Sequence, residues 1–375
     1  MRVLVSGGGT GGHIYPALAI ATQLRQEQQA EILFLGSDDG LENTIVPAAG
    51  LHLKTIKAGK LRRYISWQTI TGVLRVPVGM WQAVRIVRKF RPDVAFTSGG
   101  YVAVPAGLAA KLNGVPLLMH QQDVPPNLSN RLVAPLATRV SVAFADSMRY
   151  FPARKTVQLG NPVRQAMLDV HSLSTGEAKE RLGLDANVPL LLVTGGSQGA
   201  RHLNQVVCAA LPELLTTCQV LQISGKHLYN ETKEAAEKAL AGVDESSRTR
   251  YKLVAYLNEE MPLAMQAADL VVCRSGASTL SELALLGKPS ILVPLPPAIG
   301  SSPQEANAAM FERKNAAIVI KDLNLKPEVL VERVIYCLAS STRMEEMAQA
   351  ASSFAKPEAT RDITRELLKI AKLNS

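Results

Sequence analysis

Short apolar runs alternate with longer segments of helical periodicity along the whole chain. Ile14, Leu18 and Ala21, for example, are spaced by four and three positions and share one face of a helix. The runs that predict strands are residues 3–6, 32–35, 94–97, 116–120 and 140–143, then 190–194, 220–224, 251–254, 270–273, 290–293 and 317–320. Since these runs are apolar on both faces, they predict parallel sheets covered by helices on each side. We therefore predict an α/β protein of two doubly wound, Rossmann-like domains.

The two series of runs meet at a turn-rich segment, residues 160–164 (Gly-Asn-Pro-Val-Arg). A length of 375 residues fits two domains of about 150–200 residues each. Lys356-Pro357 interrupts the helical pattern, and a final helix is predicted from about residue 358 to 373. Ligands of open parallel sheets bind at the carboxyl ends of strands, so two facing sheets predict a site in a cleft between them.

Composition excludes several other classes of protein. Hydrophobic residues make up 47% and charged residues 19% of the chain, which excludes a disordered chain. The four cysteines form no Cys-x-x-Cys pair, so neither a disulfide framework nor a zinc ribbon is predicted. The longest charge-free apolar stretch, residues 94–110, contains three glycines and a proline and is shorter than the ~20 residues that span a bilayer. No signal peptide precedes the first strand, and a cytoplasmic protein is predicted.

The net charge of +9 is concentrated in one segment, residues 54–91. This segment holds ten basic residues and no acidic one, interleaved with many apolar residues. Such a mixture fits an anionic membrane surface better than nucleic acid. A basic helix whose apolar side packs on the core is the commoner alternative. The residues predicted to meet the membrane are Arg62, Arg63, Trp67, Leu74, Trp81, Arg85 and Arg88.

A glycine-rich loop follows the first strand of each half. Residues 7–12 read Gly-Gly-Gly-Thr-Gly-Gly, and residues 195–200 read Gly-Gly-Ser-Gln-Gly-Ala. A loop of this kind at a helix start lets a ligand approach closely and attracts anions. No lysine completes a phosphate-binding P-loop, and no acidic residue ends the second strand as nicotinamide binding requires. His13, where the first loop joins its helix, is either a general base or a hydrogen-bonded capping residue.

A second candidate site follows the predicted strand at residues 270–273. Residues 274–282 are small and hydroxylated, which suits a helix start that binds a diphosphate. Glu282 could accept the two hydroxyls of a ribose. The alternative is that Thr279 and Glu282 form an ordinary capping box.

Six motifs in order together resemble the MurG family. They are residues 7–13 (Gly-Gly-Gly-Thr-Gly-Gly-His), 99–102 (Gly-Gly-Tyr-Val), 160–164, 195–201 (Gly-Gly-Ser-Gln-Gly-Ala-Arg), 273–277 (Cys-Arg-Ser-Gly-Ala) and 304–308 (Gln-x-x-Asn-Ala). The family transfers N-acetylglucosamine from its UDP donor to lipid I, an undecaprenyl-linked muramoyl peptide, to make lipid II for peptidoglycan. The resemblance implies the two-domain GT-B fold. It also implies that the last helix returns to the first domain, which gives domains 1–162 plus 356–375 and 163–355.

The resemblance implies roles for individual residues. His13 would be the catalytic base of an inverting transfer, with Asp123 as the fallback, and neither a metal nor a cofactor is implied. The donor would be bound by Thr10, Gly11, Gly12, His13, Asp123, Arg164, Ser197, Leu257, Ser275, Gly276, Ala277, Ser278, Thr279, Leu280, Ser281, Glu282, Gln304 and Asn307. The acceptor side would include Tyr101, His120, Gln121 and Asn130. The implied partners are UDP-N-acetylglucosamine, lipid I and the cytoplasmic face of the membrane, with no nucleic acid.

Two segments depart from the family pattern. Residues 120–123 read His-Gln-Gln-Asp where the family usually reads His-Glu-Gln-Asn, so the carboxylate moves two positions to Asp123. Residues 301–303 read Ser-Ser-Pro in place of acidic or histidine-containing residues. The alternatives left open are another GT-B glycolipid transferase, a UDP-N-acetylglucosamine 2-epimerase and a homologue that binds nucleotide sugars without turnover.

Overall fold

The structure is a computed structural model that describes residues 1–9, 11–58, 67–296 and 304–372, without the side chains of residues 67–76. Thr10, Arg62, Arg63, the Ser301-Ser302-Pro303 departure and the side chains of Trp67 and Leu74 therefore lie outside the described part. Within that part, no helix combines the length and the apolar character needed to cross a bilayer.

The chain divides into two compact units, and each contains one parallel sheet. The first unit comprises Met1–Arg164 and Lys356–Ser375, and the second comprises Gln165–Ala355. The prediction of an α/β fold with two doubly wound domains is confirmed.

Seven strands of the described first unit form a sheet in the order β3-β2-β1-β4-β5-β6-β7. The strands are β1 (Arg2–Ser6), β2 (Glu31–Ser37), β3 (His52–Ile56), β4 (Val94–Thr97), β5 (Leu117–Gln121), β6 (Arg139–Val142) and β7 (Thr156–Gln158). The helices are α1 (Gly11–Gln28), α2 (Glu42–Ala48), α3 (Trp67–Phe90), α4 (Ala103–Leu112) and α5 (Leu128–Val133), with 3-10 turns at Ala145–Tyr150 and Ala153–Lys155. Sheet order reverses between β1 and β4, where ligands of such sheets bind at the strands' carboxyl ends.

Hydrophobic burial explains why five of these strands were predicted and two were not. Strands β1 and β4 are nearly continuous runs of buried residues. The two missed strands, β3 and β7, are the edges of the sheet. Strand β3 buries only part of its length and β7 has three residues, so neither carries a continuous apolar run.

The second unit repeats the architecture with six strands in its described part. Their order is β10-β9-β8-β11-β12-β13, all parallel. The strands are β8 (Leu190–Thr194), β9 (Gln219–Ile223), β10 (Tyr251–Val254), β11 (Leu270–Cys273), β12 (Ser290–Leu292) and β13 (Ala317–Val319). The helices are α6 (Gln165–Val170), α7 (Thr175–Arg181), α8 (Arg201–Leu214), α9 (Tyr229–Ala239), α10 (Glu245–Arg248), α11 (Met261–Ala267), α12 (Ala277–Leu286), α13 (Glu305–Glu312), α14 (Pro327–Leu338) and α15 (Ser341–Ser352), with 3-10 turns at Lys226–Leu228 and Asp322–Asn324. All six predicted strands of this half are present.

The last helix, α16 (Ala359–Lys372), belongs to the first unit although it follows the second along the chain. It packs against α1, β4 and β5. Ile363, Leu367 and Ile370 are buried there in one cluster with Val3 and Phe96. Arg139 of β6 also forms an ion pair with Glu366 of this helix at 2.7 Å. The helix therefore completes the core of the first unit.

Candidate active site

The glycine-rich loop of the first unit lies where β1, β4 and α1 meet. Gly7 has no room for a side chain, because a Cβ there would lie 2.3 Å from Ser98 Oγ, just after β4. Gly9 has a positive φ of 92°, which suits glycine, and a Cβ there would lie 2.7 Å from the ring of Tyr101. The loop leads directly into α1, whose first residues include Gly11, Gly12 and His13. The glycines therefore let the β1–α1 turn pack tightly against the segment after β4.

His13 Nδ1 has two hydrogen-bonding neighbours. It lies 3.0 Å from the carbonyl oxygen of Ser98, which can only accept, and 3.2 Å from Gln122 Nε2, which donates to the same oxygen. In the tautomer whose Nδ1 donates to Ser98, the other nitrogen, Nε2, keeps its lone pair. Nε2 has no hydrogen-bond partner among the described residues. Burial lowers the pKa of His13, against smaller opposing effects of Asp123 and the Ser98 hydrogen bond. At neutral pH the ring is an uncharged base.

The predicted acceptor residues around β5 are buried behind His13. His120 has no exposed surface, and its two ring nitrogens lie 3.0 Å from Ser141 Oγ and from Asn161 Oδ1. Burial lowers the pKa of His120 to about 4 and keeps it neutral. Neither ring nitrogen is thus free to contact an acceptor in this structure.

Gln121 and Asn130 are likewise buried and bonded to each other, with Asn130 Nδ2 donating to Gln121 Oε1 at 2.7 Å. Gln122, which was not predicted, donates to the Ser98 carbonyl that also holds His13. Asp123, Tyr101 and Arg164 are partly exposed in the same unit. Of these, Asp123 is close enough for its charge to act on His13.

The predicted donor helix of the second unit, α12, starts directly after β11 with Gly276 as its N-cap. Gly276 is extended and provides no side-chain cap, and Thr279 lies inside the helix rather than at its cap. The alternative that Thr279 and Glu282 form a capping box is therefore wrong. Glu282 is partly exposed, and its charge adds to burial in raising the pKa of the Cys273 thiol. The carboxylate thus lies near the carboxyl end of β11.

Four predicted donor residues are buried rather than exposed, namely Ser275, Ala277, Leu280 and Asn307. Ser275 donates its hydroxyl to the carbonyl of Gln304 at 2.9 Å, and Asn307 donates to the carbonyl of Ser275 at 3.0 Å. Leu280 lies wholly in the core. These residues fix the start of α12 against α13, while Ser278, Thr279 and Ser281 are partly exposed.

Arg274 is a functional candidate whose partner the sequence did not reveal. Its guanidinium lies 2.5 Å from Asp322 Oδ1, which follows β13, and also donates to the carbonyls of Val293 and Pro294 after β12. Asp322 Oδ2 lies 3.1 Å from His202 Nδ1. Arg274 therefore ties together the carboxyl ends of three adjacent strands beside the start of α12. In the sequence, Arg274 stood out only as the first residue of the 274–282 candidate site and as part of the 273–277 motif.

The second glycine-rich loop follows β8 and crosses the loop after β9. Gly199 has a φ of 75°, and a Cβ there would lie 2.1 Å from the carbonyl of Ser224. Ser197 is exposed in this loop, and Leu257 is partly exposed after β10. These residues and the start of α12 all lie at the carboxyl edge of the second sheet. No group of three potential metal ligands occurs among the residues that the structure describes.

Comparison with known proteins identifies the family. The N-terminal domain of glycosyltransferase family 28 matches residues 3–142, and the C-terminal domain of that family matches residues 190–363. A protein of Caldanaerobacter subterraneus subsp. tengcongensis is 40% identical, over 96% of this chain and 97% of its own. It is named UDP-N-acetylglucosamine--N-acetylmuramyl-(pentapeptide) pyrophosphoryl-undecaprenol N-acetylglucosamine transferase, as is a protein of Halothermothrix orenii at 39% identity over 95% of each chain. The chain belongs to the MurG family.

One solved structure agrees with membership of the MurG family, and a second shows the shared fold. The crystal structure of Acinetobacter baumannii MurG matches with a TM-score of 0.77 and 29% identity, over 98% of this chain and 99% of that one. A UDP-GlcNAc 2-epimerase from Neisseria meningitidis, solved with UDP-GlcNAc, has a TM-score of 0.70 at 15% identity, over 98% of this chain and all of that one. This second likeness shows a shared fold alone. The predicted GT-B fold of the MurG family is confirmed.

Proposed function

We propose that this protein transfers N-acetylglucosamine from UDP-N-acetylglucosamine to the C4 hydroxyl of an undecaprenyl-diphospho-N-acetylmuramoyl peptide. The proposal depends mainly on the protonation state of His13, in a chain that belongs to the MurG family. We place the ring proton on Nδ1, which donates to the Ser98 carbonyl, so that the unprotonated Nε2 can accept a proton. The transferase names of relatives at 39–40% identity support this reaction over epimerisation.

The proposed chemistry is one inverting displacement. His13 Nε2 removes the proton of the acceptor hydroxyl as the oxygen forms a bond to the anomeric carbon. The bond from that carbon to the UDP oxygen breaks, and negative charge develops on the diphosphate. The amides and hydroxyls at the start of α12 and Ser197 of the Gly195–Ala200 loop stabilise that charge. Glu282 accepts hydrogen bonds from the ribose hydroxyls.

We further propose that one face of the first unit binds an anionic membrane. Helix α3 buries Ala83 and Val87 but leaves Trp81 61% exposed, with the guanidinium of Arg85 5.4 Å from its ring centroid. Val78 and Arg88 are exposed on the same side of the helix. Among residues 77–90 of α3, the core therefore takes up one side of the helix and apolar residues stay exposed on the other, which supports the membrane proposal.

Two neighbouring helices also carry exposed apolar residues beside basic ones. Helix α4 packs against both α3 and α5. At its end Leu112 is 65% exposed beside Lys111, and on α5 Leu128 is 60% exposed close to Arg131. Apolar side chains flanked by basic ones suit a layer of anionic headgroups, where each basic residue contributes about 1 kcal/mol. This surface would hold the enzyme where a lipid-linked acceptor lies.

The test is to incubate the purified protein with UDP-N-acetylglucosamine and a lipid I analogue. The expected products are UDP and the disaccharide lipid in equal amounts, identified by mass spectrometry. Release of an epimerised sugar would show an epimerase instead. Donor binding without any turnover would show a homologue that has lost catalysis.

A further inference from the structure

A buried carboxylate, Glu42, lies directly beneath the glycine-rich loop of the first unit. Glu42 is the first residue of α2 and has no exposed surface. Its Oε1 accepts hydrogen bonds from the amide and the hydroxyl of Ser37, at 2.8 and 2.7 Å. Its Oε2 accepts a hydrogen bond from the amide of Gly9, at 3.3 Å and 33 positions away in sequence. Both oxygens therefore have partners, as a buried carboxylate requires.

Three glycines, one in the β1–α1 loop, one in β2 and one in the β2–α2 turn, make room for this carboxylate. A Cβ at Gly8 would lie 2.8 Å from Oε1 of Glu42, and one at Gly36 would lie 2.6 Å from its Cγ. A Cβ at Gly40 would lie 2.1 Å from Oε2. If Glu42 only shaped the β2–α2 turn, its side chain would not need to extend beneath the β1–α1 loop. The packing thus links Glu42 to the Gly7–His13 segment.

The carboxylate also reaches Tyr101 through Ser37. The hydroxyl of Ser37 donates to Glu42 and lies 2.6 Å from the hydroxyl of Tyr101, which also donates to Asp39 Oδ1 at 3.3 Å. Burial raises the pKa of Tyr101, which keeps this hydroxyl protonated. The ring of Tyr101 in turn covers Gly9. Glu42 therefore contacts the loop directly and reaches the aromatic ring over it through Ser37.

We infer that Glu42 is a positioning residue, which sets the β1–α1 loop and hence the start of the helix that carries His13. It touches neither substrate nor reacting atoms, and the inference rests on the proposed transferase function. A catalytic group displaced by about 1 Å loses about 100-fold in rate, so a loop without its anchor should cost activity rather than folding.

The substitution Glu42→Gln distinguishes a role in positioning the β1–α1 loop from a role in stabilising the β2–α2 turn. It keeps the size of the side chain but leaves only one oxygen. With that oxygen on Ser37, the new NH2 group faces the amide of Gly9, and two donors oppose each other. We expect kcat/KM for the lipid acceptor to fall 10- to 100-fold per folded molecule, with the dissociation constant of UDP unchanged within twofold. The matched control Glu31→Gln, at an exposed position of β2, should behave as the unsubstituted protein.

Amide hydrogen exchange provides a readout that does not depend on activity. In Glu42→Gln, exchange should rise in peptides covering residues 7–18 and 98–104 and stay unchanged in the second unit. Unchanged exchange in these peptides, or an activity loss that only follows the folded fraction, would overturn the inference. If the unsubstituted protein transfers no sugar, the proposed function fails, while the exchange experiment still decides the role of Glu42.

Discussion

Two histidines of the first unit, His13 and His120, differ in how many of their ring nitrogens are hydrogen-bonded. His120 and His13 both have a pKa lowered by burial. His120 uses both ring nitrogens within the core, whereas His13 uses only Nδ1 among the described residues. A neutral imidazole acts as a base only through a nitrogen with a free lone pair. The residue type alone did not distinguish a supporting histidine from a candidate base.

Replacement of His13 by Ala should remove turnover but not the binding of UDP. A general base contributes about 10²–10⁴-fold to the rate, so kcat should fall by about 100-fold or more. The dissociation constant of UDP, measured by calorimetry, should stay unchanged. His52→Ala, at an exposed position of β3, is the matched control and should retain full activity. If His13→Ala stays active and Asp123→Asn does not, Asp123 is the base.

The pH dependence of kcat/KM should report the same residue. Because burial lowers the pKa of His13 below its usual 6.5, activity should be constant near pH 7 and fall only as the pH drops through that lowered value. Asp123 opposes the shift, so Asp123→Asn should move the acid limb to still lower pH. An acid limb that does not move in Asp123→Asn would contradict this assignment.

Replacement of Glu282 by Ala should weaken donor binding. Loss of hydrogen bonds to a charged group costs about 1.5–3 kcal/mol, which corresponds to a rise of about 10- to 100-fold in KM for UDP-N-acetylglucosamine. Thermal stability should change little, since no side chain caps the N-terminus of α12. The control is Glu345→Ala on the exposed side of α15. Donor affinity equal to that of the control would show that Glu282 does not bind the ribose.

At the scale of elements, α3 combines a core face with an exposed apolar and basic face. Ala83 and Val87 attach the helix to the first unit, so changes to its outer face should leave the fold intact. Arg85→Gln with Arg88→Gln should weaken binding to vesicles that contain phosphatidylglycerol, by about 1 kcal/mol per charge at low salt. Binding of the unsubstituted protein should fall as salt screens the charges.

Sedimentation with vesicles measures this binding, and Trp81→Ala tests the apolar contribution separately. Arg361→Gln with Arg365→Gln, on the exposed side of α16, is a matched control with the same loss of charge in the same unit. Equal binding of the unsubstituted protein to neutral and anionic vesicles at any salt concentration would refute the membrane surface. So would an equal effect of the two double substitutions.

At the scale of the whole molecule, each unit has its own sheet and core, so a ligand of one unit should protect that unit alone. UDP at 100 times its dissociation constant stabilises its binding unit by about 2.7 kcal/mol. Hydrogen exchange should therefore slow at residues 195–200 and 277–286, and remain unchanged at residues 117–121. Equal protection of both units by UDP would place the nucleotide elsewhere.

The two α/β domains could be predicted from the sequence, because strands buried on both faces must be apolar runs and the helices between them must be amphipathic. The glycine-rich loops could be predicted as well, since a tight turn after a strand requires glycine. The roles of His13 and Glu282 stay predictions. The edge strands β3 and β7 could not be predicted from the sequence, because an edge strand needs no continuous apolar run. Only the tertiary structure placed Glu42 under the loop, Asp322 on Arg274 and His120 in the core. Those contacts join positions 33, 48 and 41 residues apart, and no local pattern encodes which distant group meets a buried charge or ring.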